Sequence, residues 1–280
     1  MHSCRLMWQG RAIGSLLWLC VSCADGFIDG CIIMNFTQLF KIAPMTLLFI
    51  ISFVVVMGIQ LIQGVNIDEQ TGQELIDHGA NFLPLTLTDE PWRLVTAGFL
   101  HIGVIHLLFN SFAMYYFGMA SEQILGWWRF LAVFLLSVVA GNLLNLYTTL
   151  RHIEEQGVQG IGLSAGASGG IMGLGMLLLT LSMFNLNKKW RLNTKNLASV
   201  MGINFVMTFA IPGIDVAGHI GGMMMGMVLG LCHVMSCRLN KNAHRGSECV
   251  VWGVFALCIL VSVIVMMGAW QMMHGMVMRW

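Results

Sequence analysis

Ser168 stands in Gly166-Ala167-Ser168-Gly169 at the start of a long apolar run, and His219 stands in a second run, Val216-Ala217-Gly218-His219-Ile220-Gly221-Gly222. Polar side chains in hydrocarbon are costly without partners, so this pair invites a functional reading. A hydroxyl with an imidazole at hydrogen-bond distance is a nucleophile with its general base. His106 and Asn110 are four residues apart on another apolar run and share one helix face. Both can donate hydrogen bonds, as a tetrahedral oxyanion requires, together with the Ser168 backbone N–H. Each residue also has a structural alternative. Ser168 would be a helix N-cap, His219 would be satisfied by a backbone carbonyl, and the His106/Asn110 pair would be interhelical glue worth about 0.6 kcal/mol.

The elements around these residues favour chemistry. Gly160, Gly162, Gly166, Gly169, Gly170, Gly173 and Gly175 crowd the approach to Ser168 and its first helical turns. This pattern suits a loop that dips inward and lets backbones approach closely. Ser168 then sits at a helix N-terminus, where unpaired N–H groups favour negative charge. Gly218, Gly222, Gly226 and Gly230 recur every four residues and give the His219 helix a smooth face, which Gly169 and Gly173 match on the Ser168 helix. Close packing along these faces would bring imidazole to hydroxyl. Asp215, four residues before His219, is read as a solvated charge at the external mouth, so the chemistry reads as a Ser-His dyad.

Composition fixes the setting. The 280-residue chain is 57% hydrophobic and 10% charged, with a mean hydropathy of +0.78, outside the range of soluble domains. Seven apolar segments approach or reach the length of a membrane span: Ile42–Ile62, Arg93–Phe117, Trp127–Leu150, Ser168–Phe184, Leu197–Ile214, Val216–Cys237 and Cys249–Met273. Lys41, Arg129, Lys188, Lys189, Arg191, Lys195, Arg238, Lys241 and Arg245 fall on one side of the resulting topology, against Arg93, Arg151 and Arg279 on the other. The positive-inside rule then places the N-terminus in the cytoplasm and the C-terminus outside. Asp68, Glu69, Glu74, Asp77, Asp89 and Glu90 make the segment between the first two spans acidic and external.

The net charge of +1 says nothing about nucleic acid, but no basic cluster with interleaved aromatics appears, so no nucleic-acid partner is expected. The eight cysteines form neither a disulfide framework nor a zinc spacing. Residues 1–33 hold an apolar patch, Ile13–Val21, too short to span. Residues 1–33 are read as a misassigned start or a disordered extension, with Met34 as the natural first residue.

Five stretches, in this order, resemble the rhomboid family of intramembrane serine proteases. They are Trp92-Arg93; His101 with His106 and Asn110; Glu122 with Gly126; Gly166-Ala167-Ser168-Gly169; and Ala217-Gly218-His219-Ile220-Gly221-Gly222 with Gly226. The likeness runs from about Ile42 to Cys237. It implies an all-α membrane protein, a rhomboid-like bundle of six core transmembrane helices (residues 42–237) plus a seventh C-terminal helix. Residues 34–41 would be the cytoplasmic N-terminus, 63–92 an external interfacial loop, 238–248 a cytoplasmic loop, and 249–280 the seventh helix with an external tail.

The resemblance also assigns roles. Ser168 would be the nucleophile and His219 its base, with His106 and Asn110 as oxyanion donors. Trp92, Arg93, His101, Glu122, Gly166, Gly169, Gly222 and Gly226 would be structural. No metal or organic cofactor is implied. The partners would be transmembrane segments of membrane-protein substrates, cut near their outer ends at small residues, and the lipid bilayer, in a bacterial inner membrane. One position departs from the family pattern: Met172 stands where an aromatic ring often packs against the catalytic histidine. The competing readings are a catalytically silent relative that binds client helices, and a transporter. Retention of both Ser168 and His219 argues against the first, and the lack of an acidic residue in mid-span argues against the second.

Overall fold

The apolar segments fold as helices, and the computed structural model describes residues 36–156, 162–184 and 192–239, together with 267, 268 and 270. Helix α1 (Phe36–Ile42) leads into α2 (Pro44–Ile62). Pro44 suits the first turn of α2, where its missing N–H leaves no bond unmade. Ala43 offers no side-chain cap. The free N–H groups of that turn are met instead by Glu122, whose carboxylate accepts from Met45 N (3.0 Å), Thr46 N (2.7 Å) and the Thr46 hydroxyl (2.7 Å).

Short elements follow: α3 (Gly72–Asp77), β1 (Asn81–Phe82), α4 (Leu83–Thr88) and α5 (Arg93–Thr96). A reciprocal capping box between Thr71 and Glu74 starts α3. The sequence predicts one span over Arg93–Phe117. The structure corrects this: α5 and a 3₁₀ turn (Ala97–Phe99) are bent by 96° from the helix that resumes at Val104. Gly103 makes the corner with φ +85°, where a side chain would be strained. Leu100 and Ile102 in the break are apolar, and His101 and Gly103 have counterparts in the limbs at His106 and Gly98, so composition alone does not reveal it. The second limb comprises α6 (Val104–Ala113), a π turn (Met114–Gly118) and α7 (Met119–Leu125).

Helix α8 (Trp127–Gln156) follows, then β2 (Leu163–Ser164), α9 (Ser168–Met183), α10 (Thr194–Ala210) and α11 (Val216–Leu239). Strands β1 and β2 pair antiparallel, Asn81 with Ser164 and Phe82 with Leu163. They tie the segment after α2 to the loop before Ser168, a link the all-α expectation did not include. Among the described residues, three helices are long and apolar enough to cross a membrane, Pro44–Ile62, Trp127–Ile153 and Val216–Arg238, and a fourth span results if the bent pair counts as one. At 16 residues α9 is shorter. It is also the innermost helix, buried almost all round from Gly169 to Ser182, so its length answers to the bundle rather than to lipid.

The main core gathers on α9, with Phe53, Phe130, Phe134, Leu174, Leu177 and Leu178 fully enclosed. A second cluster packs Leu83, Leu87 and Leu94 against Leu143, Leu146 and Leu150 of α8. Residues 1–33, most of the expected seventh helix and loop 238–248 beyond Leu239 lie outside the described residues, as do Lys188, Lys189, Arg191, Lys241, Arg245 and Arg279.

Candidate functional site

Ser168 is the first residue of α9, and the N-cap position belongs to Ala167. Ser168 is therefore not the cap that one reading made it. The first intrahelical bond of α9 runs from Ile171 N to Ala167 O (3.0 Å), which leaves the Ser168 N–H outside the helical ladder. Gly166 makes the approach, with φ +142° and its N–H on Ala97 O (2.8 Å). A Cβ there would lie 2.9 Å from His106 Cε1, 3.2 Å from His106 Nε2 and 3.6 Å from Ser168 Oγ. Glycine at 166 thus leaves room for imidazole and hydroxyl to face the same small space.

His219 lies in the first turn of α11, buried. Helices α9 and α11 meet backbone to backbone. A Cβ on Gly222 would collide with the Gly169 carbonyl, and one on Gly226 with the Gly173 carbonyl. The expected pairing of glycine faces is present, and it sets Ser168 and His219 at the same end of two touching helices. Gly218 O lies 3.1 Å from where a Gly169 Cβ would be and 2.5 Å from where a Gly141 Cβ would be, so α8 joins the same seam. No hydrogen bond joins Ser168 to His219 among the described contacts. The ring of His219 bonds instead through Nδ1 to the Thr208 hydroxyl of α10, at 2.8 Å. Thr208 was not among the expected site residues. Its eleven-residue separation from His219 spans a helix end, a turn and a new helix, so no periodicity marks it.

Asp215 is not the solvated charge expected from the sequence. It is half-buried and caps α11, Oδ1 accepting from Gly218 N (2.8 Å). His106 Nδ1 accepts from Ile102 N–H (3.3 Å). A backbone N–H only donates, so the neutral ring carries its proton on Nε2, on the side of Gly166 and Ser168. Asn110 is buried one turn later and donates through Nδ2 to His106 O (3.1 Å). His101 occupies the break between the limbs, 1% exposed, with Nδ1 on Phe99 O (3.2 Å) and its ring 5.3 Å from that of His106.

Arg93 lies outside this group but holds its frame. The side chain is buried, pairs with Glu90, and donates through Nη1 to Ile76 O (2.6 Å) and Ala80 O (3.0 Å). Its guanidinium stacks 4.8 Å from the Trp92 ring. Asn142, a residue the sequence did not mark, donates to Leu94 O (2.9 Å) and accepts at its carbonyl from Asn81 (3.3 Å). Glu122 is buried at the opposite end of the bundle, and Gly126 (φ +80°) ends α7 there. Met172 is enclosed in the main core. An apolar cavity of 520 Å³ lies between α9, α10 and α11, lined by residues such as Met176, Met201, Phe205 and Met223, and none of the polar site residues borders it.

A family model described as the Rhomboid domain matches residues 88–236. The chain is 33% identical over 181 residues to "Rhomboid protease GluP" of Bacillus subtilis, covering 65% of this chain and 33% of that protein. It is 31% identical over 165 residues to "RHOMBOID-like protein 6, mitochondrial" of Arabidopsis thaliana (57% of this chain, 49% of the relative). It is 26% identical over 176 residues to "Rhomboid protease AarA" of Providencia stuartii (58% and 62%). The chain thus spans less than two thirds of each of these relatives.

Proposed function

This chain belongs to the rhomboid family, and on that premise we propose that it is an intramembrane serine endopeptidase working by a Ser168–His219 dyad. The observation that carries the reading is the glycine seam. It holds α9 and α11 in backbone contact at the end where both residues lie, with His106 against Gly166. In the proposed reaction Ser168 Oγ attacks the scissile carbonyl carbon as its proton moves to His219 Nε2. The oxyanion then accepts from His106 Nε2–H and Ser168 N–H, with Asn110 beside them. His219 returns the proton to the leaving amine, and water, activated by the same imidazole, hydrolyses the acyl-enzyme. These steps use side chains and water alone.

The protein is an integral, multi-pass membrane protein. We place the N-terminus in the cytoplasm and the catalytic end outside, in a bacterial inner membrane. Residues 42–237 form the catalytic core, and the expected seventh helix, 249–280, lies almost wholly outside the described residues. Substrates are transmembrane segments cut in or near their outer ends. A segment must unwind locally there, because helical carbonyls are already hydrogen-bonded.

The test is cleavage of a generic transmembrane substrate by purified protein beside Ser168→Ala and His219→Ala. Activity lost in both variants, with folding intact and a serine-directed phosphonate attached to Ser168, is the expected result. A folded wild type that neither cleaves nor labels would overturn the proposal and favour a client-binding protein.

A further inference from the structure

We infer that Thr208 is a positioning residue for the base: its hydroxyl accepts a hydrogen bond from His219 Nδ1–H and holds the imidazole in the tautomer whose Nε2 can take the Ser168 proton. The inference rests on the dyad reading above and follows from counting protons. A threonine hydroxyl has one proton and two lone pairs. Thr208 Oγ1 stands 2.8 Å from the Asn204 carbonyl and 2.8 Å from His219 Nδ1. The carbonyl can only accept, so the hydroxyl proton lies toward Asn204. The contact with His219 is then favourable only if Nδ1 carries a proton and donates. A neutral ring protonated at Nδ1 has its lone pair at Nε2.

The contact is shielded, since Thr208 is 1% exposed and His219 is 6% exposed. A helical threonine commonly bonds the carbonyl one turn back. That bond alone would need no partner on α11, and without Thr208 the buried Nδ1 would lack one. The Asp215 carboxylate, which would be the usual orienter, accepts from the Gly218 N–H through Oδ1; its buried Oδ2 has no hydrogen-bond partner and makes no bond to the His219 ring among the described contacts. During the reaction the Ser168 proton arrives at Nε2, the imidazolium keeps its Nδ1–H on Thr208, and the ring returns to the same tautomer when the leaving amine takes the proton. His106 has the opposite tautomer, fixed by Ile102 N–H at its Nδ1. The two rings therefore present a lone pair and a proton.

Two measurements test Thr208. The first is substrate cleavage by the full-length protein in detergent, with Thr208→Val and Thr208→Ser beside the wild type. Valine keeps the shape and removes the acceptor. It should lower kcat by about 10- to 100-fold, the scale of one buried hydrogen bond, at unchanged KM. Serine keeps the hydroxyl and should recover most of the rate. A valine variant at the wild-type kcat, or a serine variant as slow as valine, would overturn the inference. The second is the ¹⁵N spectrum of histidine-labelled wild type, with His219 assigned by its loss in His219→Ala. A ring protonated at Nδ1 is expected, and one protonated at Nε2 would overturn the inference even where valine fails to fold. The spectrum needs no turnover, so a wild type that cleaves nothing would sink the protease reading while the tautomer still decides Thr208.

Discussion

Two regions of this molecule are held together in opposite ways. Along the α9–α11 seam there are no side chains to speak of: Gly169 and Gly173 meet Gly222 and Gly226, and the attraction is dispersion between backbones. In the segment from Thr71 to Thr96, polar side chains do the joining. Arg93 gathers two carbonyls and Glu90, Thr86 donates to Asn81 (3.0 Å), and Asn142 binds the chain at Leu94. The seam lies among helices in hydrocarbon, where burying apolar surface gains little against lipid and close approach is what distinguishes one packing from another. The Thr71–Thr96 segment is a run of short elements and turns beside the bundle, and the polar groups left over at their ends must find partners elsewhere.

The largest effect is expected at the seam. Gly222→Ala puts a Cβ into the Gly169 carbonyl, where only backbone could yield, so the helices must separate. Overpacking costs about 1–3 kcal/mol and occasionally more. The separation should also remove cleavage activity, read by thermal melting and substrate turnover. Gly202→Ala is the control, since nothing lies within 4 Å of its Cβ position. It should be neutral or stabilise α10 by up to about 1 kcal/mol. Equal melting of the two variants would break the distinction between seam and surface glycines.

A more local effect, smaller on cleavage activity, is expected from Arg93→Met. It strands the Ile76 and Ala80 carbonyls and should cost about 2–4 kcal/mol. Arg93→Lys should recover only part, because an ammonium cannot reproduce the fork. Limited proteolysis should cut between Thr71 and Thr96 well before the helices open. Simultaneous cleavage throughout the chain would show that the segment and bundle are one cooperative unit.

The smallest effect belongs to the α3 cap. Hydrogen bonds from the Thr71 backbone N–H, then from the Thr71 hydroxyl, hold the Glu74 carboxyl below the usual carboxylate range, with a lesser contribution from His78. The folded pKa is depressed, so this stabilisation is present above the ordinary carboxylate pKa of about 4.3 and fades as pH falls through the folded value. Amide exchange over Gly72–Asp77 should therefore accelerate in acid relative to the rest of the chain, and Glu74→Gln should remove that difference.

The comparison also marks what could be read without coordinates. The four-residue glycine spacing around Gly222 is local periodicity and leads directly to the seam. The bend at Leu100–Gly103 has no such signature, because His101 and Gly103 within it have counterparts in the limbs at His106 and Gly98 and follow no periodic spacing. Arg93 was visible as half of a motif, but its partners at Ile76, Ala80 and Glu90 were not. Two of those three are backbone carbonyls, which every residue type supplies.

The sequence by itself determined that this is a helical membrane protein of the rhomboid family, that a serine and a histidine sit at the ends of apolar segments, and that two helices carry matching small faces. Those properties live in composition and in spacings of three or four residues, and a helix expresses them wherever it lies. Only the tertiary structure decided that Glu122 caps α2 from another helix, that β1 pairs with the strand before Ser168, and that Thr208 rather than Asp215 holds the His219 ring. Each of these contacts joins residues on different elements, so their separation along the chain does not announce it. The direction of a hydroxyl lone pair is fixed by how two helices pack, and no local pattern contains it.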